Sequence, residues 1–190
     1  MNANELLKLM KERRSYRQFE TKQIKKEELD MILEAGQYAP NAGGRQSTLF
    51  LVTQDEEVNK TLGKINRQAA IIISGRYVNK AQPSIIDNPK ITSGFYGAPT
   101  VITLLGPKNF LYSEADCAVA GENMLLMASS LGIGGCMISR GKETMASEYG
   151  QALLKEKGIN DNYQGFYHII LGYPQGKTFV KARKDRVYYE

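Results

Sequence analysis

The chain is predicted to adopt an α+β fold, and three observations carry that prediction. Helical periodicity comes first: in the stretch from Ile24 to Pro40, Leu29, Ile32, Leu33 and Gly36 recur at the i, i+3, i+4, i+7 spacing of one helix face. Apolar β-rich runs follow at uneven intervals, TLFLVT, APTVITLLGP and YHIILGYP, mixed with helices instead of alternating regularly as in a βαβ array. Finally, EADCAVAGENMLLMASSLG is long enough for five turns and apolar nearly all round, so it is expected to be buried on all sides.

Taken in order, Asn4 is expected to cap a first helix over residues 5–12, with Leu6, Leu7, Leu9 and Met10 as its apolar face. The helix with the clear periodicity ends before Pro40, because proline disfavours helix in the residue preceding it. NAGGRQS is a loop, and residues 48–53 read as a buried strand. Residues 55–68 form a third helix, with Val58, Leu62 and Ile65 on one face. AAIIISGRY is ambiguous between helix and strand. Residues 79–97 read as a long loop, which in a compact domain is more often functional than idle. A strand over 98–107 leads to the apolar helix at about 113–131. GIGGCMISRG is a loop, then comes a helix with Met145, Tyr149 and Leu153, and YHIILGYP is the last strand. No repeat or linker divides residues 1–190, so a single domain is expected.

Composition narrows the function. The chain has 190 residues, 42% of them hydrophobic and 24% charged, an ordinary globular balance. A net charge of +5 suits an anionic ligand. The two terminal basic clusters do not form the continuous stripe that nucleic acid requires. The N-terminus lacks a signal peptide's apolar core, and no stretch reaches a membrane span, so a cytoplasmic protein is expected. Cys117 and Cys136 sit among apolar or small residues and form no metal-ligand cluster, as buried thiols of a reducing compartment would.

The chemistry concentrates in RRSYRQF. Arg13, Arg14 and Arg17 crowd around Ser15, and like charges so close call for an anion. Guanidinium plus hydroxyl is phosphate chemistry. Lys181, Arg183 and Lys184 form a second basic group that could converge on the same phosphate. Gly43–Gly44 and Gly134–Gly135 could let backbone approach a ligand closely, although the dinucleotide and P-loop signatures are absent. His168, the only histidine, lies inside an apolar strand. No nucleophile–base pair or metal set stands out, so a cofactor would carry any chemistry.

The ordered set RRSYRQF, YAPNAGGRQ, GAPTVI, EADCAVAGENMLLMASSLGIGG, HIILGYP and VKAR resembles the FMN-dependent nitroreductase family over nearly the whole chain. The resemblance implies a homodimer with a central mixed sheet flanked by helices, the long apolar helix in the dimer core, and FMN sites in the interface. It implies that Arg13, Arg14 and Ser15 bind the flavin phosphate, with Lys181 and Arg183 completing the clamp. Arg17 would meet the N1/O2 edge of the ring. Pro40, Asn41 and Ala42 would line the ring, Asn66 would touch its pyrimidine edge, and Ile138 and Ser139 would offer backbone to N5. The implied activity is ping-pong hydride transfer from NADH or NADPH through flavin N5 to a nitroaromatic, quinone or flavin, with no protein acid or base assured. A flavin store or sensor with little turnover is the alternative. Arg140 departs from the family pattern, where glycine is frequent.

Overall fold

The computed structural model describes residues 2–73, 88–176, 178 and 182–190. Helix α1 (Ala3–Glu12) starts two residues earlier than expected, because Asn2 and not Asn4 is its cap. Asn2 Oδ1 accepts the Glu5 N–H at 3.0 Å, and Glu5 Oε2 accepts the Asn2 N–H at 2.7 Å. That reciprocal pair satisfies two of the helix's orphan donors. Helix α2 (Lys26–Gln37) buries Leu29, Ile32 and Gly36, as its periodicity demands.

A 3₁₀ turn at Ala42–Gly44 leads into β1 (Leu49–Thr53). β1 is an edge strand with Leu49 exposed, not the buried strand expected. Helix α3 (Glu56–Ile73) takes in the first part of the ambiguous apolar run. β2 (Thr100–Pro107) is buried along nearly its whole length. The apolar helix is α4 (Ser113–Ser130).

Gly134–Gly135, expected in a loop, opens strand β3 (Gly134–Ile138). The single helix expected near Met145 is two, α5 (Gly141–Ala146) and α6 (Glu148–Glu156). They part at Ser147, whose ψ of 158° is extended and whose side chain caps α6 at Gly150 N–H. β4 (Tyr163–Gly172) begins four residues before the expected start.

The strands form one sheet in the order β1-β2-β4-β3. Among the described residues all three strand pairings are antiparallel, where a mixed sheet was expected. The parallel component reduces, among the described residues, to a single bridge between Ser15 and Gly135. Alternation along the central strands builds a core on each face. Ile102, Leu104, Ile169 and Leu171 point toward α2 and α4. Val101, Leu105, Ile170 and Ile138 point the other way, toward Leu62, Met145 and Leu153.

α4 is less enclosed than its composition suggests. Asp116, Cys117, Ala120, Gly121, Met124, Leu125 and Ala128 are buried, but Ala115, Val119 and Glu122 form an exposed stripe. Gly121 faces this chain's own sheet: a Cβ there would come within 2.7 Å of Met137 and 3.0 Å of Ile169. Among the described residues, no helix is long and apolar enough to cross a membrane, and no group of three or more His, Cys, Asp or Glu could hold a metal. Both cysteines are buried and unbridged.

Candidate functional site

RRSYRQF leaves the end of α1 as an extended segment along the outer edge of β3. Arg13 ends the helix, its N–H donating to Leu9 O at 2.9 Å. Ser15 bridges to Gly135, and the Tyr16 N–H donates to Gly135 O at 3.0 Å. Gly134 makes this possible, since a Cβ there would sit 3.0 Å from the Tyr16 Cβ. The Gly-Gly pair thus serves contact between two backbones of the protein itself.

The arginines of the segment differ in their surroundings. Arg13 Nε lies 3.6 Å from Glu122 on α4, a half-exposed pair of little strength. Arg14 donates to the Arg13 carbonyl at the end of α1. Arg17 is exposed, with its guanidinium 5.7 Å from the centroid of the Tyr96 ring. Ser15 is exposed as well.

The end of β3 brings in residues from three other segments. Ile138 is buried at 6% exposure and pairs with His168, while Ser139 is exposed. Asn66, from α3, is fully buried. Its Nδ2 donates to Ser139 O and to Thr144 Oγ1, each at 2.9 Å. Asn66 thus holds the Ser139 backbone from inside the fold. Thr144 in turn donates to the Arg140 carbonyl at 2.7 Å. Arg140 Nη2 donates to Asn66 Oδ1 at 3.3 Å, and Arg140 Nε is buried without a partner.

Burial sets the ionisation of this region. It lowers the pKa of Arg140, with the Arg67 cation acting in the same direction. It raises that of Tyr96, against the opposing pull of Arg17 and Arg140. His168 is pushed down to about 3 by burial, then by Arg140. It is a neutral core group, bonded through Nδ1 to Thr103 Oγ1 at 2.8 Å and packed against the tilted Phe95 ring with centroids 4.8 Å apart. Cys117 is held up to about 12 by burial, so it is an unreactive thiol.

The remaining site residues lie elsewhere. Pro40, Asn41 and Ala42 follow α2 and precede β1. The Ala42 N–H donates to Asp116 Oδ1 on α4 at 3.0 Å, and Asn41 Oδ1 accepts the Gln46 N–H at 2.8 Å. Pro40 and Asn41 line a cavity of about 720 Å³ with Thr48, Phe50, Asp116 and Ala120. Within one chain this group adjoins β1, whereas Ser15, Ile138 and Ser139 adjoin β3, the opposite edge of the sheet. Three strand spacings, roughly 14 Å, separate the two edges.

Arg183 lies in an exposed irregular segment, and no hydrogen bond or ion pair ties it to Arg13–Arg17. Lys181 lies outside the described residues, as do residues 79–87 of the expected loop. The described part of that loop does reach the site. Phe95 is buried against His168, and Tyr96 packs beside Arg17. Thr144 is the participant that motif reading missed; Arg140 stands out in the sequence as a departure from the family pattern, and Tyr96 belongs to the long loop expected to be functional.

Comparison with known proteins places this arrangement. The sequence model of the nitroreductase family matches residues 10–173. An Archaeoglobus fulgidus protein, provisionally named NADH dehydrogenase/NAD(P)H nitroreductase, is 31% identical over 98% of each chain. A Bacteroides fragilis nitroreductase crystallised with bound FMN superposes with a TM-score of 0.79 at 28% identity, covering 97% of this chain and 96% of its own. A Desulfitobacterium hafniense nitroreductase structure, also with bound FMN, shares the fold over 100% of both chains, with a TM-score of 0.81 at 24% identity. The chain belongs to the nitroreductase family.

Proposed function

We propose that this protein is an FMN-dependent oxidoreductase acting as a homodimer, with each flavin held between two copies of one domain spanning residues 1–190. The observation that carries the reading is the division of the expected site between opposite edges of the sheet. A single ligand meets both groups most simply if the Pro40–Ala42 turn comes from a second chain. Apolar groups exposed on one chain agree: Leu7 at 48%, Met10 at 45% and Val119 at 38%.

The residues present fit the cofactor. Arg17 has no carboxylate within ion-pair distance among the described residues, and the Arg13–Glu122 pair is weak enough for a phosphate to displace. Arg13, Arg14 and Ser15 would hold the phosphate, with Arg183 and Lys181 closing on it. Bound FMN would supply the chemistry, taking hydride at N5 from NADH or NADPH and passing it to a nitroaromatic, quinone or free flavin. Arg17 supplies positive charge where the ring edge becomes anionic. Ile138 and Ser139 would present backbone at N5, with Asn66 keeping that backbone oriented through its bond to Ser139 O. The buried unbridged thiols agree with a cytoplasmic location.

The visible spectrum of the purified protein, before and after anaerobic NADH or NADPH, tests the reading. Oxidised-flavin bands that bleach are expected. Colourless protein would contradict the cofactor. Yellow protein that neither nucleotide bleaches would indicate a store or sensor instead.

A further inference from the structure

Arg140 occupies a backbone position that would suit glycine better. Its φ is +67°, in the left-handed region where an L side chain is strained and glycine is not. Tyr96, at φ +54°, is strained in the same way. These two residues come from distant segments and lie within electrostatic reach of each other. Arg17 acts on the same phenol and stands over its ring. Arg140 directly follows the exposed Ser139 at the end of β3, and Arg17 stands beside the Tyr96 ring within electrostatic reach of that end.

The gathered charge lacks compensation. Among the described residues, neither Arg17 nor Arg140 has a carboxylate within ion-pair distance. The one carboxylate whose field Arg140 feels is Glu143, a turn along α5. One nitrogen of Arg140 is given to Asn66, and its Nε has no acceptor. A planar fork of donors, kept at the cost of backbone strain and short of acceptors, is suited to recognise a carboxylate.

We propose that Arg140 is a specificity-determining residue that makes the site select oxidants carrying a carboxylate on the ring to be reduced. This rests on the flavin oxidoreductase reading, in which Arg17 serves the flavin edge and Arg13–Ser15 its phosphate. Arg140 is left over, adjacent to Ser139 and therefore to the reacting end. An anion there has to be attached directly to the stacked ring. Nicotinamide nucleotides carry their phosphates beyond a ribose, which favours the oxidant as the source.

The test compares 4-nitrobenzoate with its neutral isostere 4-nitrobenzamide, titrated calorimetrically into the protein as purified. A charge-assisted bond predicts about tenfold tighter binding of the benzoate. Arg140→Gln should reduce that preference to about one, and Arg140→Lys should keep part of it. If the Gln variant does not fold, Arg140→Gly serves, because it relieves the positive φ. Equal affinities in the parent, or an unchanged preference in the Gln or Gly variant, would overturn the proposal. So would a loss that falls on NADPH relative to NADH. Flavin reduction separates the two readings: selective benzoate binding by yellow protein that neither NADH nor NADPH bleaches supports the anion site and contradicts the oxidoreductase reading.

Discussion

Arg17 is exposed, lies against Tyr96 and has no carboxylate partner among the described residues. A cation so placed contributes most once the ligand edge beside it gains charge. Arg17→Ala is therefore expected to slow anaerobic flavin reduction by NAD(P)H about tenfold, while FMN affinity falls less. Stopped-flow reduction at full FMN occupancy checks this, and equal rates would remove Arg17 from the role. His168 gives a prediction in pH. Its folded pKa of about 3 lies below its ordinary 6.5, so the unfolded chain binds the proton that the folded chain excludes. The stability this confers is complete above pH 6.5 and declines as pH falls toward 3, by up to ~1.4 kcal/mol per pH unit. Urea unfolding at pH 7 and 5 should show that extra loss in the parent and not in His168→Gln. RRSYRQF was legible at this scale because arginine density around a hydroxyl is a local signal. The Asn66–Ser139–Arg140 network was not, since its hydrogen bonds join residues 73 and 74 positions apart and leave no local pattern.

Among the elements, α2, α4 and β2 were readable because their burial follows periodicity or an unbroken apolar run. β3 was hidden by its two glycines. They read as a turn, yet they are small because Tyr16 and Leu125 press on them. β1 was misjudged for a different reason: an apolar run does not say whether a strand is central or at an edge. The exposed stripe of α4 could not be read from a helix apolar all round. The structure separates Gly121, packed on its own sheet, from Val119, which is exposed. Val119→Glu is therefore the informative substitution. Sedimentation should show a folded monomer, because a charge buried in the interface without a partner costs several kcal/mol. Circular dichroism should remain that of the parent. A Val119→Glu protein that stays dimeric with full flavin would take α4 out of the interface.

At the scale of the molecule, the family and the α+β class followed from the order of motifs, whereas the antiparallel pairing of the sheet did not. Pairing depends on long connections whose direction leaves no mark on composition. In the proposed homodimer, each flavin site takes the β3 edge from one chain and the Pro40–Ala42 turn from another. Two variants isolate the halves: Ser15→Glu sets a carboxylate against the phosphate, and Ala42→Glu blocks the ring. Each is expected to be colourless alone. Co-expressed, they should assemble at random, half the dimers mixed and each mixed dimer holding one intact site, so about a quarter of all sites should bind FMN. Flavin absorbance per chain in the co-purified sample measures this directly. A return of colour to about that level is predicted, and a mixture as colourless as its parts would contradict a site shared between chains.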